Sequence, residues 1–300
     1  MSALVAAYGL TADNLVAARY GDDAYAMVPK RGGGFFVAMG WCLRGHFSDW
    51  NRDSFFSHCG DVAGEDGFKA HVEDALRHKR EKAALNRQST ASRRETPWGR
   101  AQHAETYAPG IVAYSTCGHG GFHVAPEANA RIHPALRASD GWYEEDCAWA
   151  AIALAFGELF TALERRSARK TIRNAQPDAY EAIFATTLAP GESHAKDRRA
   201  FQAANAANWI VGSAIISDER PGFTEVVASV GDQHQERRRF LIPRGEYEVG
   251  RFGFVVDPAR YEELPDDAPS AFIGWRRRRK GESLRLSLFL CSQLAALIAS

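Results

Sequence analysis

Gly110 to Ala125 reads GIVAYSTCGHGGFHVA, and its reading decides the fold class. Two β-favouring runs, GIVAYST and FHVA, flank Cys117 to Gly121. Val, Ile, Tyr and Phe suit a pleated, half-buried surface, and glycines between two such runs supply the backbone freedom of a turn. The stretch therefore reads as a β-hairpin with a Gly-rich loop. Whether that loop does chemistry depends on what surrounds it.

Downstream, PEANARIHPALRASDG leads into a predicted helix from Trp142 to about Phe160. Asp140 stands where a helix cap would, and Glu144, Glu145 and Asp146 fill the first turn, as the helix dipole favours. A second predicted helix, about Thr161 to Asn174, is strongly basic, and a third runs from Asp178 to about Leu188, between Pro177 and Pro190. Upstream, GGGFFVAMGWCL (Gly32 to Leu43) reads as a buried strand. The irregular, aromatic RGHFSDWNRDSFFSHCGD follows it. From Glu65 to Asn86 the spacing of Phe68, Val72, Ala75 and Leu76 is helical, while the distal RHKREK is polar all round and must meet solvent or a partner. Gln88 to Glu95, QSTASRRE, is small and polar and reads as a linker, after which TPWG (Thr96 to Gly99) forms a turn.

In the last third, NWIVGSAIIS, GFTEVVASV, ERRRFLIP and GRFGFVVDP are β-rich segments parted by Gly, Pro and Asp, the pattern of an antiparallel meander. Helices and strands are segregated along the chain, so the expected class is α+β: a central hairpin-plus-helix unit with a C-terminal antiparallel meander. The expected regions are 1–95, mixed and ending in the linker; 96–190, the hairpin and helices; and 191–300, β-rich with a terminal helix.

The chain has 300 residues, 45% hydrophobic and 25% charged, enough to bury one large core or two modest ones. Its 37 basic and 37 acidic residues cancel, so bulk charge selects neither nucleic acid nor an anionic membrane, and any such partner must meet a local patch. Five widely spaced cysteines without a C-x-x-C pair do not make a disulfide scaffold. MSALVAAYGLTADN lacks the basic start of a signal peptide, which places the expected location in the cytoplasm. The apolar run from Leu286 to Ala299, led by Arg276 to Lys280, is shorter than the about 20 residues of a spanning helix and predicts no stable membrane insertion.

Cys117, His119 and His123 resemble a metal set only in composition. The first two belong to the turn and the third to the return strand, and no C-x-x-C or H-E-x-x-H accompanies them. The sequence predicts no metal and no cofactor. A Cys117–His119 dyad is equally weak, because a base must be aimed at the sulfur from a rigid position. Gly120 and Gly121 can turn backbone N–H groups toward an anion, although the Lys-Ser/Thr of a phosphate loop is missing. On the predicted helix, Glu145 shares a face with Trp149, Ile152 and Phe156. An acid at the border of a core finds a donor or titrates unusually, so His119 with Glu144, Glu145 and Asp146 is the candidate catalytic set; a structural tie between loop and helix explains the same residues. Arg165, Arg169 and Arg173 recur every four residues beside Arg166 and Lys170, a cationic stripe suited to phosphate and equally to a solvated face.

TPWGRAQ, GIVAYSTCGHGGFHV, NARIHPALR, DGWYEEDCAWA and FGELF, from Thr96 to about Phe160, together resemble an uncharacterised domain-of-unknown-function family of alphaproteobacterial plasmids, phages and integrative elements. The family pattern, STxxHGG followed by GWYEED and an apolar helix, is met at Ser115, Thr116, His119, Gly120 and Gly121 and at Gly141 to Asp146. The chain departs from it at Gly157, where the family has proline, and Cys117 falls where the family varies. The resemblance brings no activity. It directs attention to His119 and the acidic triplet, and it implies a mobile-element setting in which accessory proteins serve DNA maintenance or counter host defence. The expected function is thus an accessory protein that binds nucleic acid or a nucleic-acid-handling protein complex. The alternative is a hydrolase or transferase acting on a nucleotide-like substrate through a His–carboxylate site.

Overall fold

Three five-stranded antiparallel sheets, one two-stranded ribbon and six α-helices are formed by the described residues, 5–230, 236–270 and 272, of the computed structural model. The class is α+β, as the segregated pattern predicts. The basic and apolar stretch from Arg276 to Ala299 lies outside the described residues. In sequence the chain divides into two compact units, one holding the described residues up to Ile172 and the other those from Arg173.

The first sheet is a simple meander of β1 (Ala7–Leu10), β2 (Val16–Tyr20), β3 (Asp23–Pro29), β4 (Phe35–Trp41) and β5 (Asp61–Val62). Alternation along its strands gives it two apolar faces. One face is nearly all alanine (Ala17, Ala24, Ala26, Ala38), and these small side chains leave room for Phe47, Trp50 and Phe55 from the irregular aromatic stretch. The other face, with Ala18, Tyr20, Tyr25 and Val37, receives helix α1 (Glu65–Ala84) through Phe68, Val72 and Leu76. Those three are spaced by four, as the sequence predicts, and are at most 1% exposed. Their burial stabilises the unit by roughly 5–8 kcal/mol, an upper figure because the unfolded chain is itself partly collapsed.

The second sheet has the order β12-β11-β10-β9-β6. Gln88 to Glu95 is no linker: β6 (Gln88–Ala91) pairs with β9 (His103–Ala108) at the sheet edge, and its exposed polar residues are those of an edge strand. Between them β7 (Glu95–Thr96) and β8 (Gly99–Arg100) form the predicted TPWG turn, with Gly99 at φ +108°. β10 (Ile111–Ser115) and β11 (Gly120–Val124) are the predicted hairpin, closed by Thr116 Oγ1, which donates to the His119 carbonyl at 2.7 Å. The short helix α2 (Pro126–Asn129) follows.

The long helix expected from Trp142 is corrected. Trp142–Glu144 is strand β12, paired with β11, and the helix α3 is confined to Trp149–Ala155. The buried Tyr143 faces opposite to Trp142, a period of two that the neighbouring acids obscure. Asp140 does bond the Trp142 amide (3.0 Å), but where a strand begins after Gly141 at φ +72°. Helix α4 (Ala162–Ala175) matches the predicted basic helix.

One buried cation ties this sheet to the helices. Arg87 donates to both Glu164 carboxylate oxygens (2.7 and 3.0 Å), to the Leu159 carbonyl (2.8 Å) and to the Tyr107 hydroxyl (2.9 Å). Its guanidinium lies 3.9 Å from the Tyr107 ring centroid. Glu164 also accepts the Thr161 amide while its own amide bonds Thr161 Oγ1, the reciprocal box that starts α4. Burial works to raise the Glu164 carboxyl, but the Arg87 bonds and the Thr161 amide outweigh it and hold it below its ordinary value.

In the second unit, α5 (Pro177–Phe184) ends sooner than Leu188, at a left-handed Ala185. Helix α6 (His194–Ala204), capped by Ser193, has no counterpart among the sequence expectations; its few apolar positions hid it. The predicted meander is β16-β13-β14-β15-β17, formed by β13 (Trp209–Ile216), β14 (Phe223–Val230), β15 (Arg237–Pro243), β16 (Val255–Val256) and β17 (Glu262–Leu264). Val226, Ala228, Phe240, Ile242 and Val256 fill its core. A fully buried Arg239 meets Glu225 at 3.1 Å and donates to the Ala268 carbonyl at 3.0 Å, while Ser270 Oγ donates to Glu225. This pair fastens the segment after β17 to the sheet.

Arg87 is 4% exposed, so Arg87→Ala leaves Glu164 largely buried without its cation. The expected loss is about 3 kcal/mol, read by thermal unfolding as a fall on the order of 10 °C. Because the folded Glu164 pKa is depressed, its contribution is complete above the unfolded value of about 4.3 and is lost as pH falls through the folded one. Glu164→Gln is therefore expected to lower stability at neutral pH and to flatten the acid limb of the stability–pH curve.

Candidate nucleic-acid interface

The Gly-rich loop and the acidic triplet are neighbours through β-pairing. Gly121 stands opposite Glu144 in the β11–β12 register, and the Glu145 amide donates to the Gly120 carbonyl at 3.1 Å. Glycine is required at position 121, because a Cβ there would lie 2.3 Å from the Trp98 ring and 2.4 Å from the Tyr143 carbonyl. Trp98 of the TPWG turn thus lies on Gly121 and against Trp142 (centroids 5.7 Å apart), and Arg94 reaches over Trp142 and Tyr114. That close packing holds the β7–β8 turn to the sheet.

The carboxyls point to different tasks. Glu144 is half-buried and accepts the Asp146 amide at 3.0 Å; burial, together with the negative Asp146, raises its pKa against that bond. Glu145 and Asp146 are exposed, as is His119. No hydrogen bond or ion pair joins the His119 side chain to Glu144, Glu145 or Asp146 among the described residues. Cys117 Sγ accepts the Gln102 side-chain amide at 2.7 Å, and His123 lies against Trp142 rather than beside Cys117. Among the described residues no three His, Cys, Asp or Glu side chains are grouped so as to hold a metal ion.

The stripe on α4 has a more definite surrounding. Ala168 and Ile172 face inward, so Arg166, Ser167, Arg169 and Lys170 are exposed. Arg165 turns back to the Gly157 and Phe160 carbonyls (3.0 and 2.9 Å), and the half-buried Arg173 begins the second unit. The distal half of α1, which reads in sequence as an isolated polar run, lies alongside α4. His78 Nδ1 meets Thr161 Oγ1 at 2.8 Å, Glu81 accepts the Ala162 amide at 2.6 Å, and Asp74 takes Arg166. The later positions of α1, His78 and Glu81, meet the start of α4, and the earlier Asp74 meets Arg166 further along it.

The Asp74 carboxylate also accepts Arg77, so guanidinium groups from two helices converge on it. Burial acts to raise the Asp74 pKa, but both arginines together hold it below its ordinary value. The acids between the helices are thereby engaged: Asp74 by two arginines, Glu81 by a helix-end amide, and Glu164 by Arg87. Facing solvent are Arg77 and Arg80 on α1 and Arg166, Arg169 and Lys170 on α4. Arg77 of RHKREK and Arg166 of the α4 stripe, eighty-nine positions apart in sequence, thus meet on one surface, while Lys79 turns away to Asp23 of the first sheet at 2.6 Å. The Asp74–Arg77 spacing of three was the readable trace of it, since such pairs meet on a helix face.

Fold and surface together define an α+β protein with a two-helix cationic ridge. Residues 91–206 match a family described as a domain of unknown function, DUF7007, a span that contains the Thr96–Phe160 motifs and α4 but not α1. No curated protein and no solved structure matches the chain. No helix among the described residues is long and apolar enough to cross a membrane.

Gly121→Ala forces Trp98 off its seat. Lower thermal stability and a red-shifted tryptophan emission are expected, with the first sheet and α1 retained.

Proposed function

We propose that the protein binds nucleic acid through the phosphate backbone, using the α1–α4 ridge. The observation that carries this reading is the convergence of two basic segments, remote in sequence, on one exposed surface, with Asp74 and Glu164 between the helices already paired to arginines. Lys and Arg that neutralise phosphates release condensed counterions, so binding falls steeply with salt. A protein of zero net charge needs such a local concentration to do this at all. The ridge carries no exposed aromatic side chain for base stacking, which favours backbone contact without sequence readout. The mobile-element setting implied by the resemblance suits an accessory role of this kind, in DNA maintenance or against host defence, alone or within a nucleic-acid-handling complex.

The test is duplex DNA binding by fluorescence anisotropy at about 50 mM salt and upward. A log–log salt slope of roughly −3 to −4 is expected if about four phosphates are neutralised. Arg166→Glu with Lys170→Glu is expected to weaken binding more than tenfold while lowering the unfolding midpoint by no more than a few degrees, the cost of setting a like charge against Asp74. Equal affinity in that double variant would remove the ridge from the interface.

A second reading, a His–carboxylate enzyme acting on a nucleotide-like substrate, draws on the β11–β12 pairing that sets the His119 loop beside Glu144, Glu145 and Asp146. If it holds, His119→Ala and Glu145→Gln each abolish turnover of a nucleotide panel with folding intact. Unaltered nucleic-acid binding in both variants is the outcome expected from the ridge.

A further inference from the structure

Arg77 and Arg166 come from different helices, are each a little over half exposed, and meet on the Asp74 carboxylate, which is 28% exposed. Two guanidinium groups gathered on one small anion form the arrangement that recognises a phosphate, with further N–H donors of each fork left over for a second acceptor. We propose that Asp74 stands in for a backbone phosphate: it keeps the two arginines converged in the free protein and yields them to a phosphate when nucleic acid binds. Asp74 is then a positioning residue that also limits affinity, because its charge remains beside the bound phosphate. This rests on the ridge being the nucleic-acid surface.

The proposal separates local from bulk charge. Asp74→Asn keeps the size and hydrogen-bonding oxygen of the side chain and removes one negative charge at the convergence point. A like charge about 5 Å from a phosphate in a wet environment is worth a factor of about three to ten at low salt. Glu65→Gln removes the same charge from the first turn of the same helix, where Glu65 pairs with Lys69 at 2.7 Å. It lies nine positions away, about 13 Å along the axis, beyond the about 10 Å screening length at 0.1 M salt.

The experiment titrates wild type, Asp74→Asn and Glu65→Gln with one fluorescent DNA duplex across about 50–200 mM salt, with melting curves for each. Expected are a three- to tenfold tighter complex for Asp74→Asn at the lowest salt, a salt slope steeper by about 0.9, and Glu65→Gln within about twofold of wild type. Weaker or unchanged binding by Asp74→Asn, or an equal gain from Glu65→Gln, overturns the stand-in role while leaving the ridge in place. Failure of the wild type to bind the duplex overturns both. Asp74→Ser serves as the neutral variant should the asparagine form be unstable, and the same tightening is required of it.

Discussion

A single buried cation, Arg87, organises the first unit. It leaves the end of α1, enters the second sheet beneath Tyr107, and reaches the carboxylate that starts α4. An arginine in such surroundings loses most of its hydration, so the arrangement is favourable only because nearly every hydrogen of the fork has an acceptor or an aromatic face. Removing either partner leaves a charge without compensation. That asymmetry makes the contact a constraint on geometry more than a source of net stability.

The orientation of α4 follows from it. With Glu164 fixed by Arg87 and Thr161 fixed by His78, the first turn of α4 has little freedom to rotate. Ala168 and Ile172 must then point inward, and Arg166, Arg169 and Lys170 outward on the side of α1. The exposed pairs that decorate this surface contribute little individually, about 0–1 kcal/mol each. They are arranged by the buried contact beneath them, and their value lies in the potential they create together.

Much of this was legible in the sequence. The hairpin around CGHGG, the α1 stripe of Phe68, Val72 and Leu76, the basic helix and the C-terminal meander all follow from local patterns whose period survives burial. The misreadings share a physical cause. Trp142 to Glu144 runs into three successive acids, Glu144 to Asp146, that suit a helix start, yet its pairing with β11 overrides local preference, as tertiary contacts do for a strand of three residues. Gln88 to Ala91 is polar because it is an edge strand, and polarity alone does not distinguish an edge from a linker. The candidate site was half visible. The α4 stripe could be read from spacing, but its partner on α1 required a contact between residues 74 and 166 that one sequence does not encode locally.

The same distinction separates the two candidate surfaces. The His119 loop attracts notice by composition, yet Gly121 is explained by the closeness of Trp98 and the Tyr143 carbonyl, and Gly120 by that of the Tyr114 carbonyl and Glu145. The ridge is compositionally ordinary and gains its meaning from three-dimensional convergence. Hydrogen–deuterium exchange of the intact protein with and without duplex DNA tests that convergence most directly. Added protection is predicted in peptides covering the distal half of α1 and the first turns of α4, and none in the CGHGG loop. Protection confined to that loop or to the second unit, with α1 and α4 unaltered, would contradict the account.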